Sequence, residues 1–466
     1  MSHRYRLYPT TEQAAVLREW CGQARFVWNQ HVRVMSSWLD CPQARLSGEQ
    51  LFWARMRADL GLIKGSEGLN RRLRAQHDWL EAGPSKAHLA AHGHFKTAFE
   101  NWLNPRHPAR RPRLKRRQAA GSFALPQHTD FAVTKLNAIW WAVAMPKQLG
   151  KGRGTAPVKF RCHRPLPVTL TSVTVSVSAS GRWHISFTEP PRPRPLARRN
   201  VVLGVDFGVT DTLAVTNGQV GCLWSMPDLL TAGERRRLRM LERGAARQRT
   251  PKGQPMSNGW RATQRKIAVL REREARRRKD WIEQATTTLA NAADVVVLEN
   301  LRLKNMTRSA KGTVEQPGSN VAQKSGLNRA LLDAAFGLFR QRLEQKGRET
   351  GVTVIRVDPR HTSQTCAECG HVDAASRRGK QFRCTSCGVI ADADLNAAAV
   401  IRRRGTSSLG SGSSEQKPVL VQARSLAGGP VRTTGATQSQ TLRGTVSSDF
   451  IASRREAGTT GLVEVA

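Results

Sequence analysis

The sequence predicts a multidomain protein that combines an α/β domain with an antiparallel β-barrel or sandwich and a helical lobe. Residues 11–103 carry apolar side chains at helical spacing. Short alternating stretches rich in β-branched residues follow between residues 122 and 188. After residue 200, apolar strands alternate with helical patterns, as in α/β domains. The chain has 466 residues, 39% of them hydrophobic, and contains 12 Trp. It is therefore long and apolar enough to form several hydrophobic cores.

The N-terminal part begins with a predicted short strand at residues 3–10, which Pro9 ends. Thr10 to Gln13 then offer an N-cap for a long helix, and helical patterns continue to about residue 103. Most tryptophans of this lobe are expected in its core, because a Trp at helical spacing is usually buried.

A basic segment without acidic residues follows the helical lobe. It contains three prolines, at positions 105, 108 and 112, so it is predicted to be extended rather than helical. We expect it to contact nucleic-acid phosphates, with a solvated linker as the alternative. Its basic residues are Arg106, Arg110, Arg111, Arg113, Lys115, Arg116 and Arg117.

The α/β domain is predicted to start near Asn200, after a stiff proline-rich linker at 190–195. A basic helical insertion interrupts it between about residues 228 and 285. A cluster of arginines in its second helix favours contact with a nucleic-acid backbone over an ordinary solvated face. The cluster comprises Arg271, Arg276, Arg277 and Arg278.

Three acidic positions stand out in a chain of net charge +40. Asp206, Glu299 and Asp394 each lie at the end of an apolar strand or at the start of a helix, and such ends meet at one edge of an α/β sheet. Gathered carboxylates repel one another unless cations neutralise them, and Mg²⁺ prefers oxygen ligands. The sequence therefore predicts a magnesium site.

Four of the eight cysteines form two C-x-x-C pairs, each followed by a glycine. This spacing predicts one structural Zn²⁺ with four thiolate ligands and no open position for water. The predicted ligands are Cys366, Cys369, Cys384 and Cys387.

The charge of the chain, with 75 Lys and Arg against 35 Asp and Glu, predicts binding to nucleic acid. The sequence contains neither a long apolar run nor an apolar stretch after its first residues, so we expect the prokaryotic cytosol or nucleoid. The tail at 405–466 is rich in Ser, Gly and Thr and is predicted to be mostly disordered.

The order of these motifs resembles the RuvC-like nuclease of the transposon-associated TnpB/OrfB proteins and of the miniature type V CRISPR effectors. The N-terminal stretches 5–13 and 21–29 also look like the opening of TnpB proteins, and the similarity covers roughly residues 3–404. The motifs are Gly-x-Asp-x-Gly at 204–208, Leu-Glu-Asn-Leu at 298–301, the two cysteine knuckles, and Asp-x-Asp-x-Asn-Ala-Ala at 392–398.

The resemblance implies an RNase H-like RuvC nuclease domain with an inserted zinc ribbon, a wedge-type β-barrel and a helical recognition lobe. The implied boundaries are 1–10 and 119–195 for the barrel, 11–118 for the lobe, 200–361 and 391–404 for the nuclease, and 362–390 for the ribbon, which would bind target nucleic acid.

The resemblance further implies an RNA-guided DNA endonuclease whose partners are a guide RNA and double-stranded target DNA. By resemblance, Asp206, Glu299 and Asp394 would hold two catalytic Mg²⁺ ions, with Asp392 as the alternative to Asp394. A water molecule would attack the phosphorus in line and leave a 5′-phosphate and a 3′-hydroxyl. The N-terminal lobe would read a short motif beside the target, while base pairing would supply sequence specificity.

Several alternatives remain open at this stage. The intact acids argue against a nuclease-dead repressor, but a guided protein that binds DNA with weak or no cleavage could keep them. A DDE-type transposase also uses three acids, and a basic RNA-binding protein of the translation machinery would explain the charge and the zinc but not the acids. Transposon-encoded nuclease and CRISPR effector, and likewise monomer and dimer, are equally compatible with the sequence.

Overall fold

A computed structural model of the chain describes residues 2–41, 43, 48–63, 68–116, 120–145, 157–167, 169–190, 199–251 and 253–407, and the backbone of residues 431–435. The chain divides into two compact units, which we describe separately. The first unit consists of residues 1–196, 228–284 and 348–351, and the second of residues 197–227, 285–347 and 352–466. Within the described residues, none of the helices is long and apolar enough to cross a membrane.

The first unit contains an antiparallel sheet of seven strands in the order β2-β6-β7-β1-β5-β4-β3. Its strands are β1 (Ser2–Tyr8), β2 (Gly121–Leu125), β3 (Ala132–Lys135), β4 (Trp140–Ala144), β5 (Val158–Arg161), β6 (Ser172–Val177) and β7 (Trp183–Thr188). Among the described strands, no pairing joins the edge strands β2 and β3. The predicted barrel is therefore found as an open antiparallel sheet.

Helices cover one face of this sheet and continue away from it. They are α1 (Thr11–Leu39), α2 (Glu49–Asp59), α3 (Leu69–Gln76), α4 (Asp78–Glu81) and α5 (Ser85–Leu103). The predicted N-cap is confirmed, because the Thr10 hydroxyl accepts from the Gln13 amide and the Gln13 side chain accepts from the Thr10 amide. Early turns of α1 pack on the sheet through Leu17 and Trp20, and later turns pack on α5 through Met35.

The basic insertion forms two helices, α6 (Ala232–Arg247) and α7 (Asn258–Ala292). Residues 258–284 of α7 belong to the first unit. Leu238 of α6 and Leu270 of α7 are buried in one small apolar cluster together with Leu230. The two helices are thus held together by apolar contact, with charged residues around it.

The second unit contains a mixed sheet of six strands in the order β12-β11-β8-β9-β10-β16. β8, β11 and β12 are parallel, while β9, β10 and β16 pair antiparallel with their neighbours. The strands are β8 (Val202–Phe207), β9 (Leu213–Thr216), β10 (Val220–Trp224), β11 (Val295–Glu299), β12 (Thr353–Val357) and β16 (Val431–Gly435). The predicted α/β pattern after residue 200 is confirmed.

Helices and a small ribbon complete the second unit. The helices are α8 (Leu303–Met306), α9 (Val321–Ala334), α10 (Phe336–Thr350) and α11 (Ala393–Ser407), and the ribbon strands are β13 (Arg377–Arg378), β14 (Gln381–Arg383) and β15 (Ile390–Asp392). α11 lies so close to β8 that a Cβ at Gly204 would be 2.1 Å from the carbonyl oxygen of Ala398. The glycine of the Gly-x-Asp motif therefore permits this helix to pack on the sheet.

The C-terminal tail, predicted to be mostly disordered, contains regular structure in two places. Residues 431–435, within the part predicted to be mostly disordered, form β16 and pair antiparallel with β10. In addition, α11 extends to Ser407, three residues past the predicted end of the nuclease domain. Composition misses such a strand, because an edge strand needs only backbone hydrogen bonds to a partner far away in the sequence.

Candidate functional site

The three predicted acids come from three elements and line one cavity. Asp206 lies on β8, Glu299 is the last residue of β11, and Asp394 lies in the first turn of α11. Leu298 pairs with Val205, so Glu299 and Asp206 are the next residues on two adjacent parallel strands. All three acids line an open cavity of about 520 Å³. The sequence-based prediction that these acids gather at one sheet edge thus agrees with the geometry.

The three acids are buried, and their surroundings disfavour the charged form of Asp206 and Glu299. Asp206, Glu299 and Asp394 are only 9%, 7% and 6% exposed. Burial, together with the negative charges of Glu299 and Asp394, raises the pKa of Asp206 well above its ordinary value. Burial also raises the pKa of Glu299, although the Thr362 hydroxyl donates a hydrogen bond to it. Buried carboxylates that disfavour one another's charge create a strong demand for cations.

Two basic side chains of the ribbon offset part of the negative charge of these acids. Arg377 donates from Nη2 to Asp394 Oδ1 at 3.0 Å, and Lys380 contacts the other oxygen of Asp394. The ammonium of Lys380 also lies 2.9 Å from Oδ2 of Asp211. Sequence analysis did not single out Arg377, Lys380 or Asp211, since nothing local distinguishes them from other basic and turn residues.

Asp392, the alternative third acid, has a different role in the structure. Its Oδ1 accepts hydrogen bonds from the amides of Asp394, at 2.9 Å, and Leu395, at 3.1 Å. It therefore caps the N-terminus of α11. Asp392 is not among the residues lining the cavity, whereas Asp394 is. This arrangement favours Asp394 over Asp392 as the third ligand.

The donor set of the cavity fits a hard divalent cation. Its acidic groups offer only carboxylate oxygens, which Mg²⁺ prefers, and the cavity is open enough for coordinated water. The carboxylate oxygens of the three acids are more widely spaced than the ligands of a bound ion. Among the described residues, only the four cysteines bring three or more possible ligand atoms within 4.8 Å of one another. A cation would have to draw the three acids together.

The four predicted zinc ligands lie together, with their sulfur atoms all within 4.8 Å of one another. Cys366 Sγ lies 3.7 Å from Cys387 Sγ, and Cys369 Sγ lies 3.6 Å from Cys384 Sγ. Four thiolates at about 2.3 Å from a tetrahedral Zn²⁺ are roughly 3.8 Å apart, so the sulfurs fit the ion. The backbone amide of Cys387 donates to Cys384 and helps lower the pKa of its thiol to about 6. That thiol is therefore ready to bind as thiolate.

The ribbon is connected directly to α11. Asn396 of α11 donates to the carbonyl of Thr365 at 2.7 Å and accepts from the amide of Ala367 at 3.0 Å. These contacts flank Cys366. The amide of Ala393 also donates to the carbonyl of Lys380. The ribbon that holds the cysteines thus positions Arg377 and Lys380 at Asp394.

The predicted basic arm is non-helical from Pro105 onward, as expected, but part of it is held against α1. Asn29 exchanges hydrogen bonds with the backbone of Lys115, at 2.8 and 3.0 Å, and the Lys115 ammonium lies 3.8 Å from the Trp28 ring centre. Arg111 donates to Ser36. Arg106, Arg110, Arg113 and Arg116 are exposed, while Arg117 lies outside the described residues.

Most arginines of the cluster on α7 form ion pairs with acids of α6 and α7. Arg271 pairs with Glu242 and Glu274, and Arg278 pairs with Glu274. Arg277 lies 2.7 Å from Glu234. Arg276 is exposed. Three of the four predicted contacts on this helix would have to exchange an internal carboxylate for a phosphate, so their role stays a prediction.

A different row of arginines faces solvent on α6. Arg236, Arg239, Arg243 and Arg247 are all exposed. Their spacing of three, four and four residues places them on one face of the helix, opposite the buried Leu238. Sequence analysis missed this row because it concentrated on the second helix, although the spacing of the arginines was visible.

Family models match three parts of the chain. A model described as "Cas12f1-like, TNB domain" matches residues 336–401, which include the ribbon and most of α11. A model described as "Probable transposase" matches residues 184–310. A model described as "Helix-turn-helix domain" matches residues 1–41. In the structure, that last segment is a strand followed by one continuous helix of 29 residues.

Comparison with related sequences decides the family. A protein of Escherichia coli named "Putative RNA-guided DNA endonuclease InsQ" is 30% identical over 411 residues, which cover 88% of this chain and 93% of the relative. The chain belongs to the TnpB/OrfB family. A second member, from Streptomyces pristinaespiralis, is 28% identical over 85% of this chain and 87% of its own length, and its name again describes an RNA-guided DNA endonuclease.

Miniature type V effectors are related to this TnpB/OrfB protein over shorter segments. The CRISPR-associated endodeoxyribonuclease Cas12f1 of Sulfoacidibacillus thermotolerans is 33% identical over 25% of this chain and 28% of its own. A Cas12f1 structure, solved with guide RNA and target DNA, superposes with a TM-score of 0.52 at 15% identity, covering 84% of this chain and 83% of that one. The TnpB/OrfB chain therefore shares the general fold of these effectors.

Proposed function

We propose that this TnpB/OrfB protein is an RNA-guided DNA endonuclease that hydrolyses phosphodiester bonds with Mg²⁺ held by Asp206, Glu299 and Asp394. The observation that carries the proposal is the cavity itself. Three buried acids from three separate elements meet there, in a chain of net charge +40. In a chain this basic, the burial of three acids together is explained if they hold the cations that act on a phosphodiester.

The chain's own residues would contribute position and charge. Asp206 and Glu299 stand on adjacent parallel strands, so their spacing is set by the sheet. The Thr362 hydroxyl orients Glu299, and Arg377 adds a positive charge beside Asp394. Two bound Mg²⁺ ions would stabilise charge on the attacking and leaving oxygens of the phosphodiester. Hydrolysis would leave a 5′-phosphate and a 3′-hydroxyl.

The remaining parts of the protein would bind its partners. Guide RNA and double-stranded target DNA are the proposed partners, in keeping with the names of both full-length relatives. The first unit, with its open sheet and helical lobe, would act as the wedge and recognition lobe and read a short motif beside the target. One structural Zn²⁺ at Cys366, Cys369, Cys384 and Cys387 would fold the ribbon.

The test begins with the protein purified from cells that express its native flanking locus, so that its RNA is retained. Sequencing of that RNA defines a matched double-stranded DNA, which is incubated with the complex in the presence and absence of Mg²⁺. We expect Mg²⁺-dependent breaks at the matched site that Asp206→Ala abolishes. Guided binding without breaks, unchanged by Asp206→Ala, would instead establish a binding-only protein.

A matched pair of variants distinguishes the third ligand. Asp394→Asn should reduce cleavage at least about 10³-fold, because it removes a ligand of the catalytic cation. Asp392→Asn should retain cleavage, since Asn is an equally good N-cap for α11. Loss of cleavage in Asp392→Asn alone would reverse the assignment. Products in which DNA ends are joined rather than hydrolysed would favour the transposase chemistry that the description of one family model names.

A further inference from the structure

A buried acid outside the predicted catalytic set lies beside the cavity. Asp211 is 3% exposed and lies in the tight turn between β8 and β9. Its Oδ1 accepts a hydrogen bond from the Ser225 hydroxyl at 2.9 Å. Its Oδ2 lies 2.9 Å from the Lys380 ammonium. Asp211 is not among the residues that line the cavity, but it contacts Lys380, which is one of them.

The turn that carries Asp211 passes close to Asp394. The amide of Gly208 donates to the carbonyl of Thr212, which closes the turn. A Cβ at Gly208 would be 2.3 Å from the Asp211 carbonyl oxygen and 3.8 Å from Oδ2 of Asp394. The glycine therefore allows the turn to fold tightly, with Asp394 close to it.

Lys380 is held at both ends. Its backbone carbonyl accepts from the amide of Ala393, the residue before Asp394. Its side chain lines the cavity, and its ammonium is shared between the carboxylates of Asp394 and Asp211. A lysine ammonium there offsets the mutual repulsion of the buried acids. It also occupies a carboxylate oxygen of Asp394 that a divalent cation would need.

We propose that Lys380 is a built-in counter-ion that competes with the divalent cation for Asp394, and that Asp211 is a positioning residue that retains Lys380 when the cation binds. This inference rests on the proposed function, because it treats Asp394 as a ligand. A lysine with a single acidic partner would lose that partner when the metal enters. With Asp211 as second partner, the ammonium releases Asp394 while keeping its ion pair with the buried Asp211 carboxylate.

The two members of the ion pair should affect metal affinity in opposite directions. Lys380→Met removes the competitor and should tighten Mn²⁺ binding about tenfold. Asp211→Asn leaves Lys380 with Asp394 as its carboxylate partner and should weaken Mn²⁺ binding about tenfold. In the double variant, Asp211→Asn should have no further effect, because there is no lysine left to retain.

The dependence of the Asp211→Asn effect on the presence of Lys380 distinguishes a positioning role from a general electrostatic effect. If Asp211 simply attracted cations, Asp211→Asn would weaken Mn²⁺ binding equally with and without Lys380, and that result would overturn the proposal. Arg378→Gln is the matched control, because Arg378 is an exposed cation on the same hairpin without a role in the cavity. It should change Mn²⁺ affinity less than twofold.

The measurement is the dissociation constant of Mn²⁺ alone, by electron paramagnetic resonance of the full chain without DNA. Circular dichroism verifies folding, and Lys380→Gln replaces Lys380→Met if that variant misfolds. Mn²⁺ binding that Asp206→Ala removes but the folded Lys380 variant leaves unchanged would overturn this inference and leave the proposed function standing. Absence of Mn²⁺ binding in the wild type and in the Lys380 variant would overturn both.

Discussion

Asp206 is the residue of the cavity with the least favourable surroundings for a charge. Burial and the neighbouring carboxylates raise its pKa well above 3.8, its ordinary value. The folded state therefore holds a proton at this site to higher pH than the unfolded chain does. Stability from this group is present at acidic pH and is lost as the pH rises from about 4 through the raised pKa. Without a cation, ionised Asp206 destabilises the fold.

Asp206→Asn should therefore stabilise the metal-free protein while it abolishes cleavage. We expect the free energy of unfolding in Mg²⁺-free buffer at pH 8 to increase by about 1–3 kcal/mol, with a smaller increase at pH 4.5. Urea unfolding monitored by tryptophan fluorescence measures this difference. Mg²⁺ should stabilise the wild type and not the variant. Equal or lower stability of the variant in Mg²⁺-free buffer at pH 8 would contradict the electrostatic account.

Two buried histidines of the helical lobe give it a pH dependence of the opposite sign. Burial, opposed by a hydrogen bond with the Val27 carbonyl, lowers the pKa of His31 to about 4. Burial and the positive charge of Arg74 lower the pKa of His88 to about 4. The unfolded chain thus binds more protons between about pH 4 and 6.5. Stability is fully present above pH 6.5 and is lost below it.

Acidification from pH 7.5 to 5 should loosen the helical lobe. Each histidine should contribute a loss of roughly 2 kcal/mol at pH 5. Hydrogen exchange of amides in α1 and α5, corrected for the intrinsic pH dependence of exchange, measures the change within the lobe. His31→Gln should reduce the pH dependence, whereas His128→Gln, at an exposed position, should not. The same pH dependence in both variants would exclude His31 as a source.

At the scale of residues, the sequence identified groups whose chemistry is visible in local patterns. The cysteine spacing predicted four sulfurs that the fold brings within 4.8 Å of one another. The strand ends predicted that Asp206 and Glu299 would meet. Lys380 and Asp211 could not be found in this way, because their contact spans 169 positions and depends on how a ribbon hairpin approaches a turn. The only available signal was physical: clustered acids need a counter-ion when metal is absent.

At the scale of elements, the arginines of the basic helices α6 and α7 have two kinds of surroundings. Those of α7 at positions 271, 277 and 278 pair with acids of these two helices, and those of α6 face solvent. The sequence predicted both helices and their charge correctly. It did not predict which face of each helix was occupied, because that depends on the apolar contact between Leu238 and Leu270.

The outward row of α6 should therefore contribute more to RNA binding than the paired row of α7. Replacing Arg236, Arg239 and Arg243 with Gln should weaken binding and lower the slope of log affinity against log salt by about 2, at roughly 0.7 per phosphate contact. Replacing Arg271, Arg277 and Arg278 with Gln removes the same charge and serves as the matched control. It should change the slope less, and filter binding over a range of salt concentrations compares the two. Equal slopes would show that internal pairing does not decide which arginines bind RNA.

At the scale of the whole molecule, the elements of the nuclease cavity and the tail are separable. β8, β11, α11 and the ribbon all precede residue 408. Beyond that point, β16 pairs with β10 and replaces it as the edge strand of the six-stranded sheet. An apolar edge strand such as β10 pairs with another copy of the chain more readily than β16, whose sequence contains an arginine and two threonines. The tail should thus affect association of the protein more than its chemistry.

Two truncations test this separation. A chain ending at residue 407 lacks β16 and should self-associate, with a larger apparent mass in light scattering at concentrations where the full chain does not change. A chain ending at residue 435 retains β16 and should behave like the full chain. Both should cleave at rates within about threefold of the full chain when dilute, because the cavity residues remain. Self-association of both truncations would assign the effect to residues beyond 435, and loss of cleavage in the shorter chain alone would show that the edge strand supports the nuclease sheet itself.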